Sequence, residues 1–156
     1  MSSEWLLAPF KCVIGEFKYE IIDEVFTLTA GVPYEVADYK DIRGELIGVA
    51  LRTTDKYTEF KVIVDDCVLA VTPYWLYKVG AVTINYAVPF AEVYDETSNN
   101  YSVVYAPRPY LPFHNNLAFI VTSTVDADVQ TQLTFIKYSS EAEQRIMRAY
   151  ETGGGD

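Results

Sequence analysis

The feature that most limits what this chain can fold into is an alternation of apolar and polar residues with a period of two. In Tyr57-Thr58-Glu59-Phe60-Lys61-Val62-Ile63-Val64-Asp65, the residues Phe60, Val62 and Val64 fall on one face of an extended backbone, and Glu59, Lys61 and Asp65 on the other. Successive side chains of a strand point to opposite faces, whereas a helix needs a period of 3.6, so this spacing predicts a half-buried strand. Similar runs occur at 17–29, 44–52, 81–86, 90–95, 101–105, 116–124 and 129–138, rich in Val, Ile, Thr, Tyr and Phe. Turn clusters separate them: Gly31-Val32-Pro33, Thr53-Thr54-Asp55-Lys56, Asp65-Asp66, Thr97-Ser98-Asn99-Asn100 and Asp126-Ala127-Asp128. About eight short strands with frequent turns predict an all-β fold, an antiparallel β-sandwich of jelly-roll-like form.

Helix is confined to two places. Thr72-Pro73-Tyr74-Trp75-Leu76-Tyr77-Lys78-Val79-Gly80 has a capping threonine, proline at the first helical position and glycine past the end, which predicts a short helical turn over 73–79. Ser140 and Glu143 form a capping box, after which Ala142, Ile146, Ala149 and Tyr150 share one face, predicting a C-terminal helix that needs a docking surface. The chain therefore divides into an apolar N-terminal arm (1–10), a sandwich (11–138), a C-terminal helix (139–150) and a flexible glycine-rich end (151–156).

Composition excludes several function classes. Half of the residues are hydrophobic and 22% are charged, the reverse of a disordered chain. A net charge of −10 argues against binding to nucleic acid or to an anionic membrane surface. No apolar window is long enough to cross a bilayer, and Met1-Ser2-Ser3-Glu4 lacks the basic start of a secretory signal, so a soluble protein without a signal peptide or membrane insertion is expected. Cys12 and Cys67 sit among strand-like apolar neighbours and read as buried free thiols, although two cysteines could also pair once.

Catalysis finds little support. The single histidine, His114, lies in the turn Pro112-Phe113-His114-Asn115-Asn116, and no serine occupies a nucleophile-elbow setting. No GxGxxG, P-loop or HExxH occurs, and Cys12, Cys67 and His114 lack the spacing of a zinc site. No catalytic, cofactor-binding or metal-ligating residues are assigned, and the chain is not expected to be an enzyme. Loop carboxylates such as Asp65-Asp66, Asp95-Glu96 and Asp126-Asp128 could in principle hold calcium, but they read more simply as solvated turn residues.

Tyrosine is over-used, at 13 residues, and six of seven prolines are followed directly by an aromatic ring. Each such pair is expected where a strand begins or a loop ends, with the ring plugging an end of the sandwich. Tyrosine joins an apolar body to a polar tip and suits half-buried ends, subunit interfaces and sugar platforms alike. The candidate contact aromatics are Tyr34, Tyr74, Trp75 and Tyr110; the candidate subunit interface comprises Trp5, Leu6, Leu7 and Phe10 of the arm with Ile146 and Tyr150 of the last helix.

The segment Gly44-Glu45-Leu46-Ile47-Gly48-Val49-Ala50-Leu51, with Thr53 to Asp66 after it, resembles the paired strands of β-sandwich virion proteins of phages and archaeal viruses. The "TP" turn Thr72-Pro73-Tyr74-Trp75-Leu76-Tyr77 fits that pattern. The stretch Pro112 to Val121 followed by Val129 to Tyr138 is similar to a closing hairpin. The likeness spans residues 43–138 as pattern rather than identity. It implies a capsid, decoration, turret or tail-associated subunit located in the virion, forming cyclic homo-oligomers and binding other particle proteins. The rival reading is a carbohydrate-binding, lectin-like module that uses its aromatic rings as a platform.

Overall fold

The computed structural model describes residues 17–138. The arm residues Trp5, Leu6, Leu7 and Phe10, Cys12, the expected helix with Ile146 and Tyr150, and the glycine-rich end lie outside the described residues. Among the described residues, ten strands and one helix follow in order: β1 (Phe17–Leu28), β2 (Tyr34–Lys40), β3 (Gly44–Thr53), β4 (Glu59–Val64), β5 (Cys67–Val71), α1 (Pro73–Lys78), β6 (Phe90–Asp95), β7 (Asn100–Tyr105), β8 (Leu111–Phe113), β9 (Asn116–Thr122) and β10 (Ala127–Tyr138). The fold is all-β, and every strand pairing is antiparallel.

Two sheets form. The first runs β1-β10-β3-β7-β6, with β8 also paired to β3; the second runs β2-β9-β4-β5. The pairs nest: β1 lies beside β10, β2 beside β9, β3 beside β8, and β4 beside β5. Period two decides which face of each strand enters the core. Along β10, Ala127, Val129, Thr131, Leu133 and Phe135 are buried, while Asp128, Gln130 and Gln132 between them are exposed. Phe60 and Phe119 meet at 5.2 Å within the second sheet, and Phe135 of the first meets Tyr39 of the second at 5.3 Å, so one hydrophobic cluster is shared by both sheets.

Departures from the sequence reading have local causes. The run 81–86 is not a strand. Asn85 Oδ1 accepts from the backbone N–H groups of Ala87 (2.8 Å) and Val88 (3.3 Å), and this side-chain turn folds the segment away from any ladder. Strand β2 escapes a period-two search because a bulge between Glu35 and Ala37 buries Val36 and Ala37 consecutively. Strand β5 is an edge strand whose apolar side chains stay partly or fully in water, so its sequence does not alternate. Cys67 lies on it and is free and exposed, which corrects the expectation of a buried thiol.

The loop between β8 and β9 is held by a carboxylate. Asp65, at φ 54° in the β4–β5 turn, accepts hydrogen bonds from the backbone N–H groups of His114, Asn115 and Asn116 at 2.8–3.1 Å. Desolvation pushes the Asp65 carboxyl up, but the three backbone donors outweigh it and hold the group below its usual range. Asp65→Ala is therefore expected to destabilise the fold by about 1.5–3 kcal/mol, with Asp65→Asn, which keeps an acceptor and tolerates a positive φ, losing less. A carboxyl lowered in the folded state contributes stability that is complete above its ordinary value of 3.8 and is lost as pH falls through the native value. Urea titrations should show the gap between wild type and Asp65→Asn narrowing as pH drops below 3.8. A gap that stays constant across this range would show that the charge contributes nothing.

Candidate functional site

Three connections converge at one end of the molecule: the β3–β4 turn, helix α1 and the β6–β7 hairpin. Thr72 caps α1 by accepting from the Trp75 N–H at 3.1 Å, Pro73 occupies the first turn, and Gly80 at φ 80° follows the end, as the sequence predicts. The cap fixes the helix so that Pro73 and Leu76 are buried and Trp75 and Tyr77 face solvent.

The rings from these connections pack on one another. Tyr77 stacks on Tyr94 at 4.1 Å with planes 4° apart, Tyr94 meets Tyr101 edge-on at 5.0 Å, and Tyr57 tilts against Tyr74 at 5.1 Å. Lys56 Nζ lies 5.4 Å from the ring centres of both Tyr57 and Tyr74. The same ammonium bonds Glu96 at 3.1 Å, and the Tyr94 hydroxyl donates to that carboxylate at 2.8 Å. The hydrogen bond from Tyr94, then that from Lys56, lowers Glu96 below the usual carboxylate range; burial and then the bond to Glu96 raise the Tyr94 phenol. At neutral pH the set is an ammonium, a carboxylate and a neutral phenol. It is an ion pair in a frame of aromatic rings, with no nucleophile and base in position for acyl or phosphoryl transfer.

Of the four aromatics singled out in the sequence, Tyr74 and Trp75 belong to this end. Tyr34 is elsewhere: it stacks on Phe26 at 3.9 Å and donates to Glu24 at 2.7 Å. Tyr110 is exposed ahead of β8. Sequence reasoning left Tyr57, Tyr77, Tyr94 and Tyr101 out of the site. The pair Tyr94 and Tyr101 was nonetheless within reach, since a hairpin closing at Thr97-Ser98-Asn99 places the two directly opposite. The proline-aromatic pairs split by chemistry: Phe90 and Phe113 are buried plugs, while Tyr34 and Tyr110 remain exposed. A phenol buried without a partner would forgo its hydrogen bonds to water, and a phenyl ring has none to lose.

Beyond α1, where Trp75 and Tyr77 are exposed, the chain carries further large apolar side chains in solvent: Val79, Val82, Ile84, Tyr86 and Val88. The guanidinium of Arg108 sits 4.9 Å over the Tyr86 ring, and Arg108 N–H donates to the Tyr86 carbonyl at 3.1 Å, which pins the segment to the body. Three further loop carboxylates are occupied with backbone and side-chain donors. Asp95 accepts from Thr97 and Ser98, Asp126 from Ala30, and Asp128 from Thr27. Among the described residues no three His, Cys, Asp or Glu side chains converge as for a metal, and no helix is long and apolar enough to cross a membrane.

No protein-family model and no curated protein matches this chain. A solved structure, the crystal structure of FLHE, is similar over 78% of this chain and 96% of its own, at 12% identity and a TM-score of 0.38. A likeness that low carries no argument about fold or function.

Proposed function

We propose that this chain is a structural subunit of a virion, a jelly-roll sandwich that acts by assembling with copies of itself and with other particle proteins rather than by catalysis. The observation that carries the reading is the row from Trp75 to Val88, in which seven large apolar or aromatic side chains are 41–66% exposed within fourteen residues. Exposed apolar side chains this dense along a pinned segment suit a protein contact. The nested strand pairs support the jelly-roll assignment, because a long antiparallel ribbon rolled on itself brings its two ends side by side, as β1 and β10 are. The acidic balance leaves packaging of nucleic acid to another protein.

Light scattering coupled to size exclusion should find the full chain as a closed homo-oligomer, and Ile84→Asp should weaken it. Losing one buried aliphatic contact costs about 1.5–3 kcal/mol, which is roughly ten- to a hundredfold in an association constant. A monomer at every concentration would overturn the reading. One observation favours the carbohydrate alternative: Trp75 borders a shallow groove of about 300 Å³ with Glu59, Val71 and Thr72. A monomer that captures glycans and loses them with Trp75→Ala would establish it.

A further inference from the structure

The strands that end the two sheets are β1 and β6, β2 and β5, and all but one of these edges carry a block against further pairing. Register shifts bend β2 between Glu35 and Ala37 and β6 between Ala91 and Val93, and β1 presents Lys18, Glu20, Asp23 and Glu24 along its length. Strand β5, Cys67-Val68-Leu69-Ala70-Val71, has no charge, proline or register shift, and among the described residues its ladder pairs on one side only, with β4. The turn Asp65-Asp66 fixes which of its groups are available. A two-residue hairpin makes Val64 and Cys67 a hydrogen-bonded pair, so Cys67, Leu69 and Val71 direct their backbone groups to β4, and Val68 and Ala70 direct theirs outward. Cys67, Leu69 and Val71 stand opposite the buried Val64, Val62 and Phe60, which leaves the side chains of Val68 and Ala70 on the outer face of the sheet. On that face Ala70 and Trp75 border the groove of about 300 Å³. Trp75 is 55% exposed and Val68 is 61% exposed.

We propose that β5 pairs with β5 of a second copy, antiparallel about a two-fold axis, so that the second sheets of the two copies become one. This rests on the reading of the chain as a self-assembling subunit and names one of its contacts. The register follows from the outward groups. Val68 set against the partner's Ala70, and Ala70 against the partner's Val68, uses every outward group of both strands and puts Leu69 on the axis. A shift by two residues in either direction sets Val68 or Ala70 against itself and carries the other residue past the end of the strand. The full register also lays the partner's Val68 beside Ala70, and so into the groove at Trp75, twice by symmetry. A second copy suits this edge better than a foreign peptide, because its own exposed Val68 is the plug and an uncharged strand meets an uncharged strand.

The test uses the full chain with Cys12→Ser and Cys67→Ser. Adding Leu69→Cys should give a covalent dimer on treatment with oxidised glutathione, since a non-hydrogen-bonded pair sets its Cα atoms about 4.5 Å apart, within disulfide reach. Val68→Cys in its place should link far more slowly, because its two copies lie on a diagonal about 8 Å apart. In the otherwise unaltered chain, Ala70→Pro removes an outward N–H and none that bonds β4, so the fold should persist while light scattering reads a roughly tenfold weaker association. Val68→Lys, which carries a charge into the groove without touching the backbone, should weaken it by at least as much, and it decides the matter if the proline disturbs the fold. Linking no faster through Leu69→Cys than through Val68→Cys, or an oligomer unchanged by Val68→Lys, overturns the edge pairing and leaves self-assembly standing. A full chain that is monomeric at every concentration overturns both.

Discussion

Gly44→Ala is expected to destabilise the fold by about 3 kcal/mol or more, although it adds only a methyl group. Gly44 opens β3 at the point where two strands pair with it, β8 through Phe113 on one side and β10 through Lys137 on the other. A Cβ at this position would fall inside the carbonyl oxygen of Ile136 and 2.8 Å from Cζ of Phe113. The first obstacle is backbone held in a ladder, and the second is a buried ring in the core, so neither can withdraw without breaking pairings or packing. Gly48→Ala on the same strand is the control, since its Cβ would meet only Tyr105 O at 3.7 Å and Ala106 Cβ at 4.0 Å, ordinary contacts. That variant should be neutral or slightly stabilised, by about 0.5 kcal/mol, through its stiffer unfolded chain. Urea unfolding followed by tryptophan and tyrosine fluorescence decides it. Equal midpoints for the two variants would mean that the crowding at Gly44 is relieved by a small shift and that the junction of β3, β8 and β10 is not tight.

The sheet interior was legible in the sequence because alternation there is enforced by burial. Phe60, Val62 and Val64, which alternation places on one face, are all buried, and seven of the eight proposed strand runs match observed strands to within two residues at their ends. What failed is also physical. The run 81–86 has the composition of a strand, but composition records only what a residue tolerates on a pleated surface; a ladder also needs a partner, and the Asn85 turn competes for the backbone. Strands β2 and β5 were hidden for opposite reasons, one bulged and one at an edge. The candidate site was only half legible. The capped turn points to Trp75 and Tyr74 and also carries Tyr77, but Tyr57 comes to them through the β3–β4 connection and Tyr94 and Tyr101 through the β6–β7 hairpin, and where those connections pack is not local information. Of the carboxylates that read as solvated turn residues, Asp95 bonds within its own turn, whereas Asp126, Asp128 and above all Asp65 tie separate segments: Asp65 bonds three consecutive backbone donors about fifty residues away in sequence.

Phe135→Ala should be the most costly truncation in the core, at about 3–5 kcal/mol. The ring is 1% exposed and lies where the two sheets meet: it tilts at 53° against Tyr39 of the second sheet at 5.3 Å and stands edge-on to Phe113 at 6.1 Å. Its position depends on the irregularity between Thr134 and Phe135, after which Ile136 is buried as well, so two consecutive side chains turn from water. Removing the ring leaves a cavity flanked by groups from both sheets, and backbone held by β1 on one side and β3 on the other cannot collapse into it. Phe135→Leu fills most of the space and should cost less than half as much. A double-mutant cycle with Tyr39→Ala should give a coupling of about 0.5–1.5 kcal/mol, the share that belongs to the ring pair itself. The comparison that decides is Tyr77→Ala, which removes a half-exposed ring from the tyrosine end. If Phe135→Ala costs no more than that, Phe135 is not packed between the sheets, and the shared core that defines this fold is assembled differently.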